Sequence, residues 1–399
     1  MPQIRRIPSL SAGLLAAALL MAGCQEDAQS PSSPGAGTTQ ATPAVAAAGT
    51  PLSFLQVSAG GSYTCGLTTD SLAYCWGGSS LTPAPVPGGR RFMQISAGSG
   101  HTCAVTGDDR AYCWGINYDG QLGTGNTTAS ATPVAVAGGR RFHQIRAGDD
   151  YTCALNLNDA AYCWGNEEFG ELGTGVGPSL TPQLVAGGLH YRQVIPGVSH
   201  TCGVTTDNRA YCWGENSSHQ LGDGTYTNRF RPSAVIGGLS FQQVVPGDGF
   251  VVEASEPLVD QAFTCGITTD GKAYCWGYPL GGGSGAQGPI AVLGGHLYRF
   301  ITVGREHACA VAMSRAIFCW GSNDAGELGI GTSTTYSVTP LKVASSLLFS
   351  SVSANALGHH TCALTTDHRA YCWGSNSNGQ LGDGTKTTRL APVAVAGTM

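Results

Sequence analysis

Fifteen cysteines are the residues of this chain best suited to chemistry, and fourteen of them obey one pattern. Cys-x9-Cys-Trp-Gly occurs seven times: Cys65 with Cys75, Cys103 with Cys113, Cys153 with Cys163, Cys202 with Cys212, Cys265 with Cys275, Cys309 with Cys319, and Cys362 with Cys372. Paired thiols can ligate a metal or form a disulfide. Structural zinc favours close pairs such as Cys-x2-Cys. A wider spacing across a tight turn suits a bridge between opposed strands of a hairpin, whose Cβ atoms come within disulfide reach. If Cys65 faces Cys75, the turn centres on Asp70. The other turns hold Asp108-Asp109, Asn158-Asp159, Asp207-Asn208, Asp270-Gly271, Ser314-Arg315 and Asp367-His368. Asp, Asn and Gly tolerate the positive φ that a bulged three-residue hairpin loop needs. The expectation is seven bridges, one per hairpin. Each closes a loop of about 11 residues and contributes roughly 3 kcal/mol in the chain-entropy account. No metal site is expected.

A second set of chemically able residues lies two positions before each first cysteine: Tyr63, His101, Tyr151, His200, Phe263, His307 and His360. A repeated position in a ring places these side chains at one radius. One reading is a ring of sites near the axis for an anionic or aromatic ligand. The other, which we favour, is a side chain that packs its own turn and bonds a backbone group. No catalytic residues are expected. Gly-x-Ser-x-Gly and His-Glu-x-x-His are both absent. Gly283-Ser-Gly-Ala-Gln-Gly288 matches a dinucleotide pattern literally, but Pro289-Ile-Ala-Val follows it where a helix is required. It reads as a loop, and no cofactor is expected.

The fifteenth cysteine, Cys24, belongs to the N-terminus. Arg5 and Arg6 precede an apolar run, Ile7 to Ala22, that ends Leu20-Met-Ala-Gly-Cys24. This describes an export signal. Met-Ala-Gly-Cys resembles a bacterial lipobox, so cleavage after residue 23 and lipidation of Cys24 are the expectation. Residues 25 to 50 are rich in Ser, Pro, Ala, Gly and Thr and read as a flexible tether. The division is therefore 1–23 signal, 24–50 lipidated cysteine and linker, and 51–399 folded domain. Removing Arg5 and Arg6 with the signal leaves 18 of the 20 basic side chains against 25 acidic ones, a net charge of −7. No basic cluster stands ready to meet phosphate, so no nucleic-acid partner is expected.

The elements that position these residues follow from the repeat. Tryptophans recur at intervals of 38, 50, 49, 63, 44 and 53 residues. Repeats of this length mark propellers and solenoids, in which each unit covers its neighbour's apolar face. Near Pro133 the order is Pro133-Val-Ala-Val136, a Gly-Gly turn, Phe142-His-Gln-Ile145, Tyr151-Thr-Cys-Ala-Leu155, a turn, and Ala161-Tyr-Cys-Trp-Gly165. Four short strands per unit make a propeller blade. The fold class expected is all-β, a seven-bladed propeller. The chain ends at Pro392-Val-Ala-Val-Ala-Gly397 and its folded part starts at Leu52-Ser-Phe-Leu-Gln-Val57. These read as first and second strands of a single blade, closing the ring as a non-covalent clasp.

After Trp-Gly comes Gly115-Ile-Asn117-Tyr-Asp-Gly120-Gln-Leu-Gly123, and again Gly374-Ser-Asn376-Ser-Asn-Gly379-Gln-Leu-Gly382. Variants lie at 165–173, 214–222 and 321–329. This resembles the repeat of the regulator of chromosome condensation family, over residues 51 to 399. The resemblance implies a seven-bladed propeller with both chain ends in one blade. The paired cysteines depart from the eukaryotic pattern and suit an oxidising compartment. Repeats 1 and 5 lack the Gln-Leu-Gly loop, so their loops should differ in shape. The family includes a nuclear nucleotide-exchange factor and a plant ultraviolet-B sensor, and the fold also resembles that of a secreted bacterial inhibitor of β-lactamase. By that analogy surface binding is implied, while the tryptophans here sit once per blade as core.

One irregularity stands above the repeat. Gly247 lies eighteen residues before Cys265, where Gly148 lies five before Cys153. The insertion mixes Phe250, Val251, Val252 and Leu258 with Glu253, Glu256 and Asp260. A long loop breaking a repeat is a candidate partner contact. The sequence therefore reads as a monomeric, non-catalytic binding or scaffold protein. Its partner is an unidentified protein at the cell envelope or outside the cell. It is exported and held to a membrane only by lipid, with the outer membrane favoured by Gln25. Alternatives are an inhibitor of a secreted enzyme and a hydrolase or lyase of envelope polymers.

Overall fold

The computed structural model describes residues 51–248, 250–251, 259–260, 262–278 and 286–398. The signal segment, Cys24 and the linker lie outside the described residues. Alternating apolar positions and glycine-rich turns fold the rest into seven four-stranded antiparallel sheets, each built from strands consecutive in sequence. Blade 1 comprises Phe54–Ala59, Tyr63–Thr68, Ala73–Gly77 and Ser80–Pro85. Blade 3 comprises Phe142–Ala147, Tyr151–Asn156, Ala161–Gly165 and Ser179–Leu184. Blade 7 comprises Phe349–Ala354, His360–Thr365, Ala370–Gly374 and Arg389–Ala394. The first strand of each blade lies innermost and the last outermost. No helix occurs among the described residues, so none of them forms one long and apolar enough to cross a membrane.

The hairpin register follows from the turn. Cys153 lies directly opposite Cys163, with Tyr151 facing Gly165 and Leu155 facing Ala161. Ser71, Asp109, Asp159, Asn208, Gly271, Arg315 and His368 all adopt positive φ at the equivalent turn position. The Trp-Gly glycine is required for a different reason. At Gly115 (φ +110°) a Cβ would meet Gly100 O at 2.5 Å and His101 Cα at 2.8 Å. A side chain there has no room beside the opposing strand.

Both faces of each sheet are buried, so the core lies between blades. One cluster joins Cys103, Val105, Cys113 and Leu122 of blade 2 to Phe142, Ile145, Tyr162 and Trp164 of blade 3. The seam between the chain ends has the same make-up. There Cys362, Leu364, Cys372 and Leu381 pack on Phe54, Val57 and Trp76. Six of the seven tryptophans are at most 2% exposed.

Strands from the two chain ends close the ring, as expected, but not by sharing a blade. The expected clasp is corrected: Arg389–Ala394 pairs with Ala370–Gly374 inside blade 7, and Phe54–Ala59 pairs with Tyr63–Thr68 inside blade 1. The ends meet edge to edge instead. Leu52 N–H donates to Gly397 O at 2.6 Å and Phe54 N–H to His368 O at 2.9 Å. A repeated sequence leaves the phase of its unit open. Here the outer strand ends each unit.

Candidate functional site

The fourteen repeat cysteines form seven bridges, each between directly opposed residues of one hairpin. Most of the sulfurs are wholly buried in the cores between blades. Among the described residues, no three His, Cys, Asp or Glu side chains gather closely enough to hold a metal ion.

The seven residues two before the first cysteines do share one radius, but they face the next blade. His101 Nε2 lies 2.8 Å from Thr152 Oγ1 and His200 Nε2 2.8 Å from Thr264 Oγ1. His307 Nε2 lies 2.9 Å from Thr361 Oγ1 and His360 Nε2 2.9 Å from Thr64 Oγ1. These threonines use their own proton elsewhere, donating to a backbone carbonyl: Thr152 to Gln121 O, Thr264 to Gln220 O, Thr361 to Glu327 O and Thr64 to Gln380 O. The imidazole Nε2 must therefore donate. Tyr63 and Tyr151 also lie 2.9 Å from the Oγ1 of Thr102 and Thr201 in the next blade. Phe263 has no hydrogen bond to offer, and the next blade presents Ala308 in place of threonine in a shared cluster. The four histidines are at most 1% exposed. Burial lowers the pKa of His101 and His307 to about 4, and of His200 and His360 to about 3. They are neutral bridges between blades. The ligand-ring expectation is corrected, because these side chains are buried and turned from the axis. The backbone-bond expectation holds for the tyrosines, Tyr63 donating to His101 O (2.7 Å) and Tyr151 to His200 O (2.9 Å), and is corrected for the histidines, whose partner is a threonine hydroxyl.

The Gln-Leu-Gly loop completes this lock, a role invisible in sequence. Its Gln or Glu carbonyl also accepts the next blade's indole: Trp164 Nε1 to Gln121 O (3.0 Å), Trp213 to Glu171 O (2.8 Å), Trp276 to Gln220 O (3.0 Å) and Trp373 to Glu327 O (2.7 Å). The loop's last glycine lies flat on that indole. At Gly382 (φ +69°) a Cβ would sit 2.6 Å from Trp76 Cδ1. The loop asparagine holds the turn from within: Asn117 Nδ2 donates to Asn126 O and Thr128 O, and its Oδ1 accepts from Leu122 N–H. In blade 3 Glu167 replaces this asparagine. It has no amide N–H to donate to the turn, and burial raises its pKa against the opposing effect of the Gly177 backbone.

Along the axis, the inner strands line a channel of about 290 Å³. Two rows of side chains knit them. Gln56 bonds both Ile95 O and Ile95 N–H, as Gln94 does Ile145 and Gln243 does Ile301. Two residues on, Ser58, Ser96, Thr302 and Ser353 accept from the N–H of Ala97, Ala147, Ala354 and Ala59 in the neighbouring blade. Blades 3, 4 and 5 carry Arg146, Ile195 and Val245 at this level. The neighbours facing Arg146 and Ile195 are Pro196 and Pro246, which have no N–H to satisfy. The absence of a hydroxyl at Val245 is not explained by the structure.

Repeat 5 departs from the pattern at one end of its blade. Gly247 pairs with Phe263, Phe263 with Gly277, and Gly277 with Ala286. The insertion leaves and rejoins this row, and so does the connection that replaces Gln-Leu-Gly. Within the insertion Phe250–Val251 pairs with Val259–Asp260. Val252, Glu253, Glu256 and Leu258 lie outside the described residues, as do 283–285 of the glycine-rich stretch. Its 286–288 begin the outer strand, a correction to the loop reading. An apolar cleft of about 290 Å³ opens beside this connection, lined by Trp276, Tyr278, Ile290, Leu293, Trp320 and Val338. Trp320 follows a blade without the loop, and its indole has no carbonyl partner among the described residues. The loop of blade 1 is correspondingly a tight turn, Gly77 facing Ser80.

Comparison with known proteins agrees with this geometry. Residues 108–155 and 367–399 match the Regulator of chromosome condensation (RCC1) repeat. A second profile of the same description matches 54–81, 94–121, 142–171, 197–220 and 349–380. Ultraviolet-B receptor UVR8 of Arabidopsis thaliana is 35% identical over 137 residues, 32% of this chain and 30% of the receptor. Probable E3 ubiquitin-protein ligase HERC6 of Homo sapiens is 34% identical over 96 residues, 24% of this chain and 9% of the ligase. The chain thus matches less than a third of either relative's length. Prp20p of Saccharomyces cerevisiae superposes with a TM-score of 0.70 at 21% identity, covering 82% of this chain and 87% of that one. Human WBSCR16 gives 0.69 at 20%, covering 79% and 84%. These two share the fold.

Proposed function

From the seven-bladed fold and the segments that match the RCC1 repeat, we propose that this chain is a non-catalytic protein-binding module. Its partner docks on the end of blade 5 where the insertion and the uncapped cleft open together. One observation carries the reading: both departures of repeat 5, its insertion and its missing loop, start from the same row, Gly247, Phe263, Gly277 and Ala286. In five of the seven blades the equivalent surface is closed by a loop bearing a buried leucine (Leu122, Leu172, Leu221, Leu328 and Leu381), and in blade 1 the chain makes only a tight turn there. At blade 5 an exposed apolar surface, including Ile290 and Val338, stands in its place. Solvent-facing apolar surface of this kind marks interaction sites. Relatives are named as a receptor and a probable ligase, and a solved relative is described with its binding properties to Gsp1p and histones.

Seven disulfides place the folded domain in an oxidising compartment. We propose further that Cys24 carries the lipid that holds the protein to a membrane, with the outer membrane favoured, and that 25–50 is the tether. Metabolic labelling with a fatty-acid analogue tests this: label must enter the protein and vanish in Cys24→Ala. For the partner, photo-crosslinkers at Val338 and at Met313, on the opposite end of blade 6, are compared in envelope extracts. A specific adduct from Val338 alone, lost on deleting residues 249–261, supports the site. Equal adducts from both positions refute it.

A further inference from the structure

The axial channel holds a guanidinium that the fold does not use. Arg146 occupies a level at which four blades carry a serine or threonine bridging to the next inner strand. That bridge has no acceptor role in blade 3, because its neighbour at this level is Pro196. The position is therefore released from structural duty. Ile195, facing Pro246, shows what such a position becomes when nothing polar is needed. Arg146 instead points a cation into the channel. Its side chain is half-buried, its Nε is shielded from water without a hydrogen-bond partner, and no ion pair to it exists among the described residues. Asp149, further along the same lining, forms no ion pair with it. Leaving a shielded charge unpaired is costly. A planar guanidinium is the side chain best matched to two oxygens of a carboxylate or phosphate.

We propose that the axial channel binds a small oxyanion, a carboxylate or phosphate compound, with Arg146 as its counter-charge. The volume of about 290 Å³ lies at the small end for ligand sites and equals about ten waters at liquid density, so the ligand has roughly ten non-hydrogen atoms or fewer. This site is separate from the protein-docking surface on blade 5 and does not depend on it.

The test is calorimetric titration of the folded domain at low ionic strength with inorganic phosphate and, separately, succinate. A saturable single site for at least one of the two is expected. Arg146→Gln weakens it at least tenfold, and the surface variant Arg110→Gln leaves it unchanged. Arg146→Ser restores the residue of blades 1, 2 and 7 and serves if the glutamine variant folds poorly. In anion-free buffer the Arg146 variants unfold at higher denaturant than the wild type, because an unpaired charge is gone. Absence of saturable binding for both anions overturns the proposal. So does an Arg146 variant that binds within twofold of the wild type.

Discussion

The seam between blades 7 and 1 is the one blade interface that no chain connection supports, and it offers a clean test of the interblade lock. His360 Nε2 donates to Thr64 Oγ1 (2.9 Å), and Thr64 donates to Gln380 O (2.9 Å). His360 and Thr64 are both 0% exposed. Thr64→Ala strands a buried N–H and costs about 1–3 kcal/mol. His360→Phe removes one hydrogen bond but leaves Thr64 bonded to Gln380 O, and costs about 1 kcal/mol. The double variant recreates the Phe263 and Ala308 pair already present between blades 5 and 6: the stranded imidazole N–H is gone, and only Gln380 O has lost its donor. Its cost should fall short of the sum by about 1–2 kcal/mol, the coupling expected of residues in one network. The assay is guanidinium unfolding with disulfides intact, followed by tryptophan fluorescence. Single costs that add to within about 0.5 kcal/mol would refute the lock.

Four further outcomes are expected. The four bridging histidines titrate near 3 to 4 when folded and near 6.5 when unfolded, so the unfolded chain binds more protons between those values. Stability is therefore complete above about pH 6.5 and falls as pH drops through this window, by up to about 1.4 kcal/mol per pH unit per histidine. Unfolding curves from pH 7.5 to 4.5 check it, and the His360→Phe, Thr64→Ala variant should show a slope smaller by one proton. Glu167→Asn restores the loop-holding amide and should stabilise by about 1–2 kcal/mol in the same unfolding assay. Arg315 holds φ +67° and its side chain makes no hydrogen bond or ion pair among the described residues, so Arg315→Gly should gain about 0.5–1 kcal/mol in thermal unfolding. Peptide mapping without reductant should return seven intra-hairpin bridges, and replacing Cys153 and Cys163 together by alanine should cost about 3 kcal/mol.

Relations inside one hairpin were open to reading from sequence. Cys153 opposite Cys163, the positive φ at Asp159 and the buried Trp164 depend on residues at most 13 positions apart and on the two-residue alternation of a strand. The number of blades followed from counting. The phase of the blade did not, because a periodic sequence looks the same wherever the unit is cut; only the hydrogen bonds of Arg389–Ala394 assign it to blade 7. Interblade chemistry was equally hidden. His360 meets Thr64 across 296 residues of sequence, and the motif Gln-Leu-Gly serves the indole of the following blade rather than its own. The trace left in sequence was faint: Phe263 paired with Ala308, and a proline wherever the preceding blade lacks its hydroxyl at Arg146 and Ile195. The sequence by itself determined the stapled hairpin and its sevenfold recurrence, since both arise from local sterics and covalent reach. Which side chains join one blade to the next, and which cation the ring leaves unpaired, was decided only when closure brought distant repeats to hydrogen-bonding distance.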